Sequence, residues 1–216
     1  MADNKESETM KTGTTTLGLV CKDGIVLAAD MRATSGNFIV TKRISKIYEI
    51  AEGMAITMAG TVSDAQLLVR LIQAELRLKD VRTNRRSNVK EAANMLAGMV
   101  YGNIRKFSVI PGISHFLLGG KDVHGYSLYD LFADGSLTKV DDFISTGSGS
   151  VFAYGVLETN YTKDLTVDQA QKLAVKAINA ALQRDSASGG GIQVVAITQE
   201  GVKVVFSREV EQTVRV

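Results

Sequence analysis

The sequence predicts an α+β fold, a four-layer αββα sandwich with two antiparallel sheets between helix pairs. Strand patterns arrive as neighbours joined by short turn signals, which makes antiparallel sheets. Helical patterns arrive as two consecutive pairs, and each pair can cover one outer sheet face. The 216 residues, 45% of them hydrophobic, suffice for one sizeable core and are few for two, so a single domain is expected.

In order along the chain, residues 1–13 are polar and charged and cannot bury enough surface to offset the entropy of ordering, so they read as a disordered tail. Strand patterns at 14–21 and 25–30 flank the turn signal Lys22-Asp23-Gly24, and a second hairpin at 46–50 and 54–60 surrounds Ala51-Glu52-Gly53. The period then changes. Ser63-Asp64-Ala65-Gln66 has the form of a capping box, and Ala65, Leu68, Ile72 and Leu76 follow at helical spacing to about Leu78. Asn88 with Glu91 opens a second helix carrying Ala92, Met95, Met99 and Ile104.

Strand patterns resume at 113–119 and 126–132, the latter closed by Asp134-Gly135, and a short strand at 142–146 runs into Gly147-Ser148-Gly149-Ser150. A third helix covers about 151–159. The fourth is the clearest: Thr166-Val167-Asp168-Gln169 is a capping box, and Ala170, Leu173, Ala174, Ala177, Ile178, Ala181 and Leu182 keep one face apolar. It stops in a polar, glycine-rich stretch at 184–191, and segments 192–197 and 202–206 form a closing hairpin.

Composition excludes several functions. With 25 basic and 23 acidic residues spread along the chain, no nucleic-acid footprint is expected, and the three arginines within 82–86 read as a solvated loop between two helices. Cys21 is the single cysteine, which rules out an internal disulfide and a multi-cysteine metal site and suits a reducing compartment. The two histidines, His115 and His124, are placed in strands with no metal-ligand pattern, so no metal or cofactor is expected and a Ser-His-Asp triad is disfavoured. No segment approaches the roughly 18 apolar residues that cross a bilayer, and residues 1–13 lack the apolar core of a secretory signal.

The junction Lys11-Thr12-Gly13-Thr14-Thr15-Thr16 has the character of a cleavage site. Cut between Gly13 and Thr14, the chain would begin with a residue bearing both an alcohol and an α-amine. A threonine hydroxyl must lose its proton as it attacks, and an α-amine, with an ordinary pKa of about 7.7–8.0, can accept it. The same three threonines could instead simply begin a β-strand, since threonine suits pleated, half-buried positions.

Further motifs turn the balance. Gly13-Thr14-Thr15-Thr16-Leu17-Gly18, Ala29-Asp30 with Arg32-Ala33-Thr34, Lys46-Ile47-Tyr48, Met58-Ala59-Gly60, Gly147-Ser148-Gly149 with Tyr154-Gly155-Val156-Leu157-Glu158, and the run from Arg184 to Gly190 together resemble proteasome β-subunits of the archaeal, catalytically active type. The resemblance runs from Gly13 to about Phe206. It implies the N-terminal nucleophile hydrolase fold, a propeptide at 1–13 removed by autolysis, and a catalytic domain at 14–216. Thr14 would be the nucleophile of a threonine endopeptidase acting on unfolded polypeptide, with Asp30 and Lys46 as its close partners. Either the freed amine or a neutral Lys46 would take the hydroxyl proton. By the same resemblance the Gly60 N–H faces the oxyanion, and Ser148, Asp185 and Ser188 support the terminal threonine.

Ala33 and Thr34 would flank the cleft, and Ala33, Ile44, Met58, Val62 and Gln66 would line the pocket for the residue preceding the cut bond. The resemblance also implies seven-membered β-rings in pairs between α-subunit rings, an ATPase acting through the α-ring, and a cytoplasmic location without cofactor. The 79–87 connection is longer than the family pattern leads one to expect. Two rival readings are a non-catalytic ring subunit of the same particle and a different N-terminal nucleophile hydrolase acting on small amides.

Overall fold

A computed structural model gives the fold, described for residues 13–109 and 111–210. Apart from Gly13, the expected tail lies outside the described residues. The elements are β1 (Thr16–Cys21), β2 (Gly24–Asp30), β3 (Ala33–Ser35), β4 (Phe38–Thr41), β5 (Ile47–Ala51), β6 (Met54–Gly60), α1 (Val62–Thr83), α2 (Val89–Ile104), β7 (Ser114–Asp122), β8 (Gly125–Leu131), β9 (Leu137–Val140), β10 (Phe143–Thr146), α3 (Ser150–Asn160), α4 (Val167–Leu182), β11 (Gly191–Thr198) and β12 (Gly201–Glu209).

One sheet has the strand order β10-β1-β2-β11-β12 and the other β5-β6-β7-β8-β9, with every pairing antiparallel. Strand alternation divides the apolar residues into three layers of core. Leu17, Leu19 and Cys21 of β1 face α3 and α4, together with Leu173, Ala177 and Ile178. Ile56 and Met58 of β6 face α1 and α2 with Leu68, Ile72 and Leu96. Between the sheets, Ile25, Leu27, Ala55, Leu117 and Ile197 form the central seam. This is the four-layer sandwich expected from the element order.

Several details differ from the sequence reading. Helix α1 begins at Val62 with Thr61 as its N-cap and no side-chain cap bond, while Ser63 Oγ turns to Asp64 Oδ2 at 3.3 Å. The cause is tertiary: Thr61 N–H donates to Ile113 O at 2.8 Å, which turns the chain two residues before the Ser63 box. The same helix continues past Leu78 to Thr83 and ends on the left-handed Asn84, so most of the long connection is helix. Beyond it, Lys79 and Arg85 both reach the Glu91 carboxylate and, Arg85 foremost, hold it well below its usual range.

The capping boxes at Asn88 and Thr166 are both formed. The hairpin β3–β4 and the edge strand β9 have no counterpart in the sequence reading, and His124 lies in the turn after β7 rather than in a strand. These pieces are three or four residues long, too short for a period to register.

Candidate active site

Four segments converge at one end of the sandwich. Thr14 stands just before β1 and Asp30 ends β2, both on the first sheet, while Lys46 precedes β5 and Gly60 ends β6 on the second. All of these side chains are withdrawn from water: Thr14 is 5% exposed, Lys46 3% and Asp30 0%.

Lys46 Nζ lies 3.0 Å from Thr14 Oγ1 and 2.6 Å from Asp30 Oδ1. The Thr14 hydroxyl in turn donates to Gly13 O at 2.6 Å. Asp30 is held on both oxygens. Oδ1 also accepts from Thr15 N–H at 2.9 Å, and Oδ2 accepts from Arg32 N–H at 3.0 Å and Gly189 N–H at 2.9 Å. Burial pulls the Lys46 amine below its ordinary value of 10.5, against the opposing pull of the Asp30 carboxylate. A lysine so placed can reach the neutral form that accepts a proton.

On the other side of Thr14, its N–H donates to Ser148 Oγ at 3.3 Å, and Ser148 Oγ donates to Asp185 Oδ2 at 2.7 Å. Ser188 Oγ reaches the same Asp185 oxygen at 2.6 Å and shares a 2.6 Å bond with Thr15 Oγ1. Asp185 follows α4, whose C-terminal carbonyl of Ala181 accepts the Asp185 N–H at 2.8 Å, so the end of the helix aims this cluster at the chain junction.

Gly60 has φ +109, and a Cβ there would lie 2.2 Å from Ile113 O, so no other residue fits that turn. Beside it opens a concavity lined by Gly13, Thr14, Arg32, Ala33, Thr34, Ile44, Lys46, Met58, Ala59, Gly60, Val62 and Ala65. Thr34 Oγ1 accepts the Gly13 N–H at 3.2 Å. Of the residues expected around the cleft, Gln66 lies outside this lining, with its side chain beside the Tyr48 hydroxyl, and Ala65 takes its place. The helical register decides this, because the start of α1 at Val62 turns Ala65 inward.

Sequence reasoning left Thr15, Arg32, Ala65 and Ala187 out of the site. Arg32, two residues beyond Asp30, was within reach of a spacing argument. The contact of Ala187 with Gly13 links residues too far apart in sequence to be inferred.

Comparison with known proteins matches residues 10–197 to the proteasome subunit family. The chain belongs to that family. It is 48% identical over 200 residues to the proteasome subunit beta of Archaeoglobus profundus, covering 93% of this chain and 91% of that protein. To the proteasome subunit beta of Methanococcus aeolicus it is 43% identical over 213 residues, covering 98% and 96%. The relative from Archaeoglobus fulgidus is 46% identical over 200 residues. In this proteasome-family chain the matched segment contains both sheets up to β11, all four helices and every residue of the cluster around Thr14. Among the described residues no helix is long and apolar enough to cross a membrane.

Proposed function

We propose that the chain is the catalytic β-subunit of a proteasome core particle, a threonine endopeptidase that cuts itself between Gly13 and Thr14 and thereafter hydrolyses unfolded polypeptide. One observation carries the reading: Lys46 Nζ at 3.0 Å from a Thr14 hydroxyl that itself touches the Gly13 carbonyl oxygen at 2.6 Å. Nucleophile, basic group and scissile carbonyl are adjacent.

In the uncut chain the Thr14 nitrogen is an amide and cannot serve as a base, so Lys46 is the basic group at hand. Neutral Lys46 takes the hydroxyl proton as Thr14 Oγ1 attacks the Gly13 carbonyl carbon. The C–N bond breaks, the nitrogen leaves as the protonated amine, and water opens the resulting ester to release residues 1–13. The freed N-terminus, beside Ser148 and Asp185, then joins Thr14 Oγ1 as a second basic group. In turnover, Thr14 Oγ1 attacks a substrate carbonyl, the Gly60 N–H stabilises the oxyanion by roughly 3–4 kcal/mol, and hydrolysis of the acyl-enzyme restores the threonine.

Ala33, Ile44, Met58 and Val62 make the pocket wall mainly apolar, which favours a large hydrophobic residue before the cut bond. β3 offers an edge at Ala33 and Thr34 for a substrate strand. The particle pairs seven-membered β-rings between α-rings, an ATPase feeds it through the α-ring, and it acts in the cytoplasm. Thr14, Asp30, Lys46 and Asp185 standing in one bonded cluster disfavours a purely structural subunit. A hydrolase of small amides would instead be active as an unassembled chain.

The deciding measurement is the N-terminal mass of the chain co-assembled with its α-subunits. A mass beginning at Thr14 is expected, and an active particle that still begins at Met1 would overturn the reading. Self-scission has a pH dependence of known sign. Its rate rises as Lys46 loses its proton and levels off below 10.5, because burial lowers that pKa. Time courses of cleavage at stepped pH test this, and a flat profile removes Lys46 from the step.

Gly13→Ala should also slow scission, by roughly 100-fold, because misplacing the reacting carbonyl by about an ångström costs that much. The physical cause is a collision, since a Cβ on Gly13 would lie 1.7 Å from Ala187 Cβ and 2.9 Å from Ala187 Cα. Subunits that do mature should then work normally, because residue 13 is gone. Normal scission kinetics in this variant would exclude the collision as a constraint.

A further inference from the structure

The reacting groups come from two sheets that pack through an apolar seam. Such contacts are non-directional, so they carry no preferred line between one particular atom and another. Ile25, Leu27, Ala29, Ile47, Ala55 and Leu117 line this seam, yet a chain of hydroxyls crosses it. Thr57 Oγ1 on β6 donates to Thr16 Oγ1 on β1 at 3.3 Å, and Thr16 Oγ1 shares a 2.7 Å bond with Thr146 Oγ1 on β10. Thr57 Oγ1 also accepts the Leu117 N–H at 3.2 Å. Both Thr16 and Thr57 are 0% exposed.

A hydroxyl in an apolar seam brings a desolvation cost that a valine of the same shape would avoid, and a single hydrogen bond returns little net stability. Its direction is what a valine lacks. Thr16 stands two residues beyond Thr14. Thr57 pairs with Ile47, the neighbour of Lys46, and precedes Gly60 by three residues on the same strand. The bond therefore joins the strand that carries the nucleophile to the strand that carries Gly60 and flanks Lys46.

We propose that Thr57 is a positioning residue for the Thr14 reaction, its bond to Thr16 setting where Lys46 and Gly60 stand relative to the nucleophile. This rests on the endopeptidase reading above. Thr57 acts through the sheets, since its hydroxyl is committed to Thr16 and Leu117 inside the core. Directional polar contacts in a buried setting specify one arrangement where apolar packing alone would admit several. Geometry of this kind must hold to a fraction of an ångström for a reaction to proceed at full rate.

The test uses full-length chain co-assembled with its α-subunits and a fluorogenic peptide with a large apolar residue before the cut bond. Thr57→Val should lower kcat about 10-fold with KM within about twofold, and Thr57→Ser, which keeps the hydroxyl, should recover most of the loss. Thr16→Val breaks the same bond from the other sheet, together with the bond to Thr146, and should lower kcat at least as much, with the double variant no slower than Thr16→Val alone. Wild-type kcat in both valine variants overturns the proposal. So does a Thr57→Ser variant as slow as Thr57→Val, since that would make the effect one of packing. A parallel Thr14→Ala particle separates the two readings. If it is active, the endopeptidase assignment has failed; if it is inactive while the valine variants run at full rate, only the role of Thr57 has failed.

Discussion

Replacing Thr14 with alanine should reduce peptide hydrolysis by about 10,000-fold or more and leave residues 1–13 attached in assembled particles. The effect is large because one oxygen serves both reactions. Thr14 Oγ1 is the atom that touches the Gly13 carbonyl oxygen and the Lys46 nitrogen, and no other hydroxyl is bonded to both in the described residues. Assembly should survive, since the methyl of alanine fits where the threonine side chain was and the hydrogen bonds of the Thr14 backbone to Ser148 and Gly149 remain. Intact-mass analysis of the purified particle and a peptide assay read the two outcomes separately. Cleaved, active Thr14→Ala particles would mean that another residue is the nucleophile.

The second large effect is expected at Lys46. Lys46→Met keeps the apolar stem and removes the nitrogen, which leaves the fully buried Asp30 carboxylate without its ion-pair partner. Breaking a buried ion pair from one side costs about 3–5 kcal/mol, so this variant should melt well below the parent as well as failing to cut itself. Lys46→Arg keeps the charge but cannot give it up at accessible pH, because a guanidinium stays protonated. It should therefore hold most of the stability and still fail in scission. Thermal melting and cleavage time courses distinguish the two losses. A Lys46→Arg chain that matured at the parent rate would show that Lys46 acts through its charge and is not the base for scission.

The architecture was legible in the sequence wherever a period ran long enough. α4 carries seven apolar residues at helical spacing behind a Thr166 box, and it folds as read. Strands of five to nine residues with turn signals between them were placed within a few residues. The start of α1 was not, because Ser63 and Gln66 offered a local box that lost to the turn at Gly60 and the bond from Thr61 to Ile113. β3 and β4 pair through a bulged register and carry exposed Phe38 and Val40, so nothing local marks them as strands.

The candidate site divides in the same way. Motif by motif, the sequence alone determined which residue types are present: a threonine after a glycine, an aspartate at the end of a strand, a lysine at the start of another, and a serine-aspartate-serine set around a helix end. It also determined the layer order, since hairpins and paired helices permit few other packings. Only the tertiary structure decided that Asp30 reaches Lys46 rather than Arg32's guanidinium, that Ala65 and not Gln66 faces the cleft, that Ala187 crowds Gly13, and that a threonine from each sheet meets within the seam. The reason is range. Periodicity and capping are interactions among residues a few positions apart, whereas these contacts join residues 16 to 174 positions apart or depend on which way a helix is turned, and both are settled when the layers close on one another.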